Sequence, residues 1–252
     1  MKGINLPLPF LFSSSASFFW GKDLILGRPL FFMQFAAWEP IYLAILEDFG
    51  FSRAGDEEAA MLLRELLRGE EMSLPRAAAR IRRQTVVVCG NAPSLEGELG
   101  DLGIRGAAFM AADGATSVLL RKGIVPEIIV TDLDGPFDAI LKANQGGSMV
   151  IVHAHADNLD ALQRYVPQLK RVIGTAQCRP PEGLYNFGGF TDGDRSVFLA
   201  MELGAASIAL AGFDFEDESV TLRKRKKLAW ARRLIDLALG DKSINQPSIS
   251  WI

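Results

Sequence analysis

Ile128-Ile129-Val130-Thr131-Asp132-Leu133-Asp134-Gly135 is an apolar, β-branched run that stops abruptly in Asp-x-Asp-Gly. Its first four residues read as a strand buried on both faces, and the two carboxylates leave the sheet together at its mouth. Two anions that close repel, and a cation is the usual remedy. Oxygen-only ligands suit Mg²⁺, which typically takes one or two carboxylates and fills its shell with substrate phosphates. An Asp-rich turn is the plain alternative, since Asp and Gly are common turn formers. On this motif alone the two readings balance.

Working outward, the same kind of run recurs. Val86-Val87-Val88-Cys89 and residues 107–111, 149–152, 172–174 and 207–211 are short and apolar. Most are separated by helix-length segments at 116–122, 137–144, 159–165 and 196–203. Continuous apolar strands alternating with helices predict an α/β fold with a largely parallel, doubly wound sheet covered on both faces. Before Thr85 the periodicity is helical. Residues 38–49 and 56–67 repeat at helical spacing, the second with Asp56 as expected N-cap and Ala59, Ala60, Leu63, Leu66 and Leu67 on one side. A third helix is expected at 74–83, where Ser73 and Pro75 make a good start. The expected organisation is therefore an extension at 1–33, a helical N-terminal subdomain at 34–84 without a catalytic constellation, and an α/β catalytic domain at 85–252 that ends in a helix.

Composition narrows the function. Of 252 residues 49% are apolar, enough for a sizeable core, and a net charge of −3 argues against nonspecific nucleic-acid binding. Cys89 and Cys178 are too few for a disulfide scaffold or a zinc cluster, which fits a reducing cytoplasm. Residues 1–20 faintly resemble a signal peptide, with Lys2, an apolar stretch and Ser13-Ser14-Ser15-Ala16, but Pro7 and Pro9 interrupt it. A poorly structured or peripheral tail is the preferred expectation, with Met33 as an alternative natural start. The next apolar run, bounded by Arg28 and Glu39, falls short of the roughly 20 residues of a membrane span. The expected partners are small molecules, with no nucleic acid and no membrane; a homo-oligomer is compatible.

Open parallel sheets bind ligands beyond the carboxyl ends of their strands, and polar, glycine-rich sequence follows every expected strand. In order these are Gly90-Asn91-Ala92-Pro93-Ser94, Ala112-Asp113-Gly114-Ala115, the Asp132 turn, His153-Ala154-His155-Ala156-Asp157-Asn158, then Thr175, Gln177 and, past a loop, Phe187-Gly188-Gly189-Phe190-Thr191-Asp192-Gly193-Asp194-Arg195, and Gly212-Phe213-Asp214. Gly90 to Ser94 forms a strand-to-helix turn whose N–H groups suit a phosphate, or an ordinary turn capped by Ser94. Asp192 and Asp194 open a helix and suit its dipole. The adjacent glycines and Arg195, a rigid donor fork for phosphate, favour a functional loop. Candidate nucleotide-binding residues are thus Gly90, Asn91, Ser94, Asp113, Gly114, Gly188, Gly189, Thr191, Asp192 and Asp194.

His153 and His155 are the chain's two histidines, and with Asp157 they spell His-x-His-x-Asp. A catalytic zinc site commonly needs three His or two His and a Glu, so zinc hydrolysis is not expected. One ring can touch substrate while the other is locked in structure; His153 lies nearer the strand core, and its role stays open. Arg223-Lys224-Arg225-Lys226-Lys227 opens a final amphipathic helix. Most of it reads as a solvated face, with one or two lysines available to a polyphosphate.

Ala112-Asp113-Gly114-Ala115, Gly123-Ile124-Val125-Pro126-Glu127 and Thr131-Asp132-Leu133-Asp134-Gly135 together resemble the core of thiamine pyrophosphokinases. With His153 to Asn158, Gly188 to Arg195 and Gly212-Phe213-Asp214-Phe215 added, the set is more similar to the archaeal 6-hydroxymethyl-7,8-dihydropterin pyrophosphokinases. The resemblance runs from about Trp38 to the C-terminal helix. It implies a thiamine pyrophosphokinase-like catalytic core and pyrophosphoryl transfer from ATP to a pterin hydroxymethyl group in pterin biosynthesis (tetrahydromethanopterin or folate type), with Mg²⁺. It implies Asp113, Asp132 and Asp134 as metal and nucleotide ligands and Asp157 as a further acidic position. Ala92 departs from the pattern, in which a glycine often precedes the proline. Catalytic candidates are then Asp132, Asp134, Asp157, His155 and Arg195, with Asp157 or His155 orienting or deprotonating the alcohol. Tyr185, Asn186 and Phe187 are candidates for the acceptor ring. Thiamine pyrophosphokinase, a nucleotide-sugar glycosyltransferase and a non-catalytic nucleotide sensor are the alternatives.

Overall fold

The computed structural model describes residues 20–25, 28–67, 74–101, 106–240 and 248–251. Of the poorly structured or peripheral extension expected at 1–33, residues 1–19, 26 and 27 lie outside the described residues, whereas 20–25 and 28–33 are strands. Strands β1 (Trp20–Ile25) and β2 (Arg28–Met33) pair antiparallel as a separate ribbon. Helices α1 (Phe35–Phe49), α2 (Arg53–Leu66) and α3 (Leu74–Ile81) follow. From there strand and helix alternate: β3 (Thr85–Cys89), α4 (Leu95–Asp101), β4 (Ala108–Ala112), α5 (Ala115–Arg121), β5 (Ile128–Thr131), α6 (Phe137–Gln145), β6 (Met149–Ala154), α7 (Leu159–Tyr165), β7 (Val172–Ala176), α8 (Asp192–Glu202), β8 (Ser207–Ala211), α9 (Leu222–Gly240) and β9 (Ser248–Trp251).

The last seven strands form one sheet, ordered β7-β6-β5-β4-β3-β8-β9 and parallel throughout. The chain moves outward from β3 to β7, then returns to the far side of β3. The direction of winding therefore reverses between β3 and β8, where such sheets open a crevice. Gly90 and Gly212 end those two strands. A Cβ on Gly90 would lie 2.4 Å from the Gly212 carbonyl oxygen, and one on Gly212 (φ 69°) would lie 2.6 Å from that of Gly90. The crevice floor is thus a backbone-to-backbone approach that no side chain can enter.

The period-2 alternation of strands distributes their residues to two cores. Val86, Val88, Met110, Ile128, Val130 and Ile151 pack with α3 and α8. Val87, Cys89, Ala111, Ile129, Val150 and Val152 face Trp38, Ile45, Leu63, Ile140 and Leu162 of α1, α2, α6 and α7. The N-terminal helices therefore share the core of one sheet face. Their boundaries differ from expectation in one instructive place. Ser52 caps α2, accepting the Gly55 N–H at 3.2 Å, while Asp56 sits in the first turn, buried. Ser52 meets the N-cap requirement with a neutral hydroxyl, leaving the Asp56 carboxylate for another task.

Glu202, on the last turn of α8, is 3% exposed, and neither carboxylate oxygen has a hydrogen-bond partner among the described residues. Burial pushes its carboxyl up to about 9. The folded form keeps a proton that the unfolded chain releases near the ordinary carboxylate value, so stability falls as pH rises from that value through about 9, by up to about 1.4 kcal/mol per pH unit. Glu202→Gln removes this titration. Thermal melts of the variant are expected to lie several degrees above wild type at pH 8 and to converge near pH 4; equal melting temperatures at pH 8 would refute the assignment.

Candidate active site

Polar strand ends gather around a cavity of about 580 Å³ at the carboxyl edge of the sheet. Its central feature is acidic. Asp113, Asp132 and Asp134 bring one carboxylate oxygen each to within 4.8 Å of one another. The backbone that does this is strained: Asp113 (φ 40°) and Leu133 (φ 68°) are both non-glycine residues in the left-handed region. Thr131 holds the arrangement, its hydroxyl donating to Asp113 Oδ1 at 2.5 Å while its oxygen accepts the Leu133 N–H at 2.8 Å. Gly135 lies directly under Asp113, and a Cβ there would fall 1.8 Å from Asp113 Oδ2.

The charges are unevenly buried. Burial, with the neighbouring Asp134 and Asp132 anions, raises Asp113 to about 6 against the pull of the Thr131 hydrogen bond. Burial also pushes Asp132 upward, but its interactions with His155 and its hydrogen bonds with Asp134 outweigh it and hold Asp132 near 2. Asp134 is raised by burial and by Asp132, and Asp192, facing the same cavity, is raised well above the ordinary range for the same two reasons. Asp113, Asp132, Asp134 and Asp192 repel one another, and the first three offer hard oxygen donors to a common point. That donor set fits a divalent cation such as Mg²⁺.

His155 Nε2 lies 3.3 Å from Asp132 Oδ2, and its Nδ1 accepts the Asp157 N–H at 3.2 Å. Nδ1 therefore carries the lone pair and Nε2 the proton, which points at Asp132. Asn158 completes the corner. Its amide donates to the Asp132 carbonyl at 2.7 Å and the His153 carbonyl at 2.8 Å, and its oxygen accepts the His155 N–H at 3.1 Å. This one buried side chain locks the mouths of β5 and β6 together.

The loop before α8 divides its acids between two tasks. Asp194 is fully buried and accepts the backbone N–H groups of Phe190 (2.6 Å) and Thr191 (2.8 Å) together with the Thr191 hydroxyl. It is a helix cap and does not line the cavity. Asp192 does, held by Arg195 Nη1 at 3.4 Å. Arg195 is itself 3% exposed and donates to the Gly189 and Phe190 carbonyls at 3.2 and 3.3 Å. Its charge organises the loop from inside while forming part of the cavity wall.

Of the sequence candidates, Gly90, Asn91, Asp113, Gly114, Asp132, Asp134, His155, Asp157, Thr191, Asp192 and Arg195 line one cavity; Ser94, Gly188, Gly189 and Asp194 do not line it. Tyr185, Asn186 and Phe187 do not reach it. Tyr185 pairs with the backbone of β7, Asn186 spends its amide on the Gln177 carbonyl, and Phe187 is buried in the core under α8. The aromatic wall comes from Phe51, Phe190, Phe213 and Phe215. Gln177, a polar residue following β7, joins the cavity as its strand-end position suggests, whereas Asp56 was not expected there; both are buried in its wall. Asp56 accepts from Tyr42 (2.8 Å), Gln177 (2.9 Å) and the Ala156 N–H (3.0 Å). The available signal was an acid in the first turn of a helix that already had Ser52 as its cap. Lys224 and Lys227, three residues apart on α9, line the mouth and pull Asp134 downward, whereas Lys226 turns away to Asp48 at 2.7 Å.

Comparisons with known proteins agree on one family. Residues 62–219 match the model described as 6-hydroxymethylpterin diphosphokinase MptE-like. The chain is 45% identical to a 6-hydroxymethyl-7,8-dihydropterin pyrophosphokinase of Methanothermobacter thermautotrophicus, over 81% of this chain and 94% of the relative. It is 42% identical to the protein of that name from Pyrococcus furiosus (81% and 94%) and 36% identical to that from Methanocaldococcus jannaschii (83% and 97%). A solved α-2,3-sialyltransferase, Cst-I from Campylobacter jejuni, overlays with a TM-score of 0.39 at 14% identity over 67% of this chain and 75% of its own, too slight a likeness to bear on the reaction. The parallel sheet, its acidic strand ends and these matches together show that the chain belongs to the MptE-like 6-hydroxymethylpterin diphosphokinase family.

Proposed function

We propose that the protein transfers the terminal pyrophosphoryl group of ATP to the hydroxymethyl oxygen of 6-hydroxymethyl-7,8-dihydropterin, giving the pterin diphosphate and AMP. The observation that carries the reading is the meeting of Asp113, Asp132 and Asp134 oxygens within 4.8 Å at the mouth of a cavity of about 580 Å³. These three residues would hold Mg²⁺, which when bound supplies positive charge against the phosphates. The pterin alcohol oxygen forms its bond to the β-phosphorus, the bond between that phosphorus and the α–β bridging oxygen breaks, and the alcohol proton is lost.

The protein's share of this reaction is positioning and charge balance. Gly90, Asn91 and Gly114 offer close backbone approach for phosphates, with Thr191 and Asp192 opposite. His155, its lone pair spent on the Asp157 N–H, orients Asp132 and does not serve as the base. Asp157 is exposed at the cavity rim and is the acid available to the alcohol proton. Arg195 interacts electrostatically with Asp132 and Asp192 from the inner wall. Lys224 and Lys227 meet the polyphosphate at the mouth. Replacing both with alanine is expected to raise the KM for ATP about tenfold, an effect that shrinks at high salt, while Lys226→Ala leaves it unchanged; steady-state kinetics at two ionic strengths checks this.

This reading keeps the sequence-based division into an extension at 1–33, a helical segment at 34–84 and a catalytic unit at 85–252, and it places the enzyme in the cytoplasm, in pterin biosynthesis. Both cysteines are unpaired thiols, and among the described residues no helix is long and apolar enough to cross a membrane. The decisive experiment incubates the protein with Mg²⁺ and ATP, offers the pterin alcohol or thiamine, and identifies the nucleotide released. AMP with the pterin alone is expected. AMP with thiamine alone assigns the thiamine reaction, nucleoside diphosphate from a sugar donor assigns a glycosyltransferase, and saturable ATP binding without product assigns a sensor.

A further inference from the structure

His153 has no task in the reaction as derived, and its surroundings define what it lacks. The Thr175 hydroxyl donates to the Val152 carbonyl at 3.1 Å, so its oxygen is left to accept. His153 Nδ1 lies 3.1 Å from that oxygen and must therefore carry the ring proton. Nε2 is then a lone-pair acceptor, and among the described residues it has no hydrogen-bond partner although His153 is 3% exposed and lines the cavity. Burial, with the positive charge of Arg195 nearby, holds the imidazole well below its ordinary value and keeps it neutral. A buried acceptor without a donor is costly unless a ligand supplies one.

The neighbours narrow the ligand. Asp56, 1% exposed, and Gln177, 6% exposed, line the same cavity, whereas Asp134 is exposed at its mouth. Along this buried wall Gln177 donates to Asp56, and Arg195 donates to Asp192 and to the Gly189 and Phe190 carbonyls, so the polar group left facing a ligand is the acceptor nitrogen of the imidazole. An adenine edge offers one amino group flanked by acceptor nitrogens. The pyrimidine edge of a pterin offers adjacent donors, a ring N–H and an exocyclic amine. We propose that His153, through Nε2, accepts a hydrogen bond from the donor edge of the pterin ring and is a specificity-determining residue for the acceptor substrate. This inference rests on the pterin reading above and deepens it.

The test uses the full chain with Mg²⁺, ATP and 6-hydroxymethyl-7,8-dihydropterin. His153→Phe keeps a flat ring without nitrogen and is expected to raise the KM for the pterin about 10–100-fold, leaving the KM for ATP unchanged and kcat within about threefold. Thr175→Val leaves the imidazole but frees its tautomer, so it is expected to raise the same KM by a smaller factor, about threefold to tenfold. An unchanged pterin KM in folded His153→Phe overturns the proposal, as does a rise in the KM for ATP instead. Should His153→Phe fail to fold, Thr175→Val decides, and an unchanged pterin KM there overturns it equally. Failure of the wild-type protein to release AMP with the pterin is a separate result, which removes the pterin reading and this role with it.

Discussion

Asp132→Asn is expected to lower ATP-dependent AMP release by on the order of 100–1,000-fold in a protein that still folds. The substitution preserves shape. The two Asp132 oxygens accept separately, Oδ2 from His155 Nε2 at 3.3 Å and Oδ1 from the Asp134 N–H at 3.2 Å, so the asparagine oxygen keeps one of these bonds and its amino group takes the other position. What disappears is the one carboxylate of the cluster held as an anion near 2. Asp113, raised to about 6, and Asp134, also raised, ionise more readily once the Asp132 anion is gone, but two carboxylates then stand where three faced the cation. Two measurements separate loss of metal from loss of fold. A thermal melt with Mg²⁺ should stabilise the wild type through binding to the native state and leave Asp132→Asn unmoved, while both melt alike without metal. Full AMP release by the variant would sink the assignment of the cluster.

The architecture was legible because buried parallel strands write themselves as unbroken apolar runs, and 128–131 and 207–211 coincide with β5 and β8. The acidic triad was legible too, since each acid follows its strand directly. The deep wall was not. Asp56 belongs to a helix some 76 residues before Asp132 in sequence, counting from their numbers, and it reaches the cavity because α2 packs on the face that carries β6 and β7. The local signal in Ser52 to Asp56, an acid left over once the serine caps the helix, does not say what that acid touches. The division of labour in Asp192-Gly193-Asp194 was equally hidden. Both acids suit a helix start, and the outcome turned on a capping box that spends Asp194 on the Phe190 and Thr191 amides. Likewise Tyr185 to Phe187 sit beside the glycine loop in sequence, but a bridge from Tyr185 to Thr175 draws them along the edge of β7 and away from the cavity.

Gly135→Ala is expected to reduce AMP release about 10–100-fold while adding only a methyl group. Its Cβ would fall 1.8 Å from Asp113 Oδ2 and 2.6 Å from Asp113 Cγ, a separation no packing adjustment tolerates. The carboxylate must swing away, and in doing so it gives up the 2.5 Å bond from Thr131 and its place beside Asp132 and Asp134. Loss of that hydrogen bond costs stability by about 1 kcal/mol, too little to unfold the domain. The deficit should therefore appear as a weaker apparent affinity for Mg²⁺ and ATP in an otherwise intact protein. A double-variant cycle makes the cause specific. If the methyl acts through Asp113, then Asp113→Ala and Gly135→Ala together lose no more activity than Asp113→Ala alone, since alanine at 113 removes the atom that is struck. Additive losses, or a Gly135→Ala protein as active as wild type, would mean that the position of Asp113 above this glycine does not matter to the reaction.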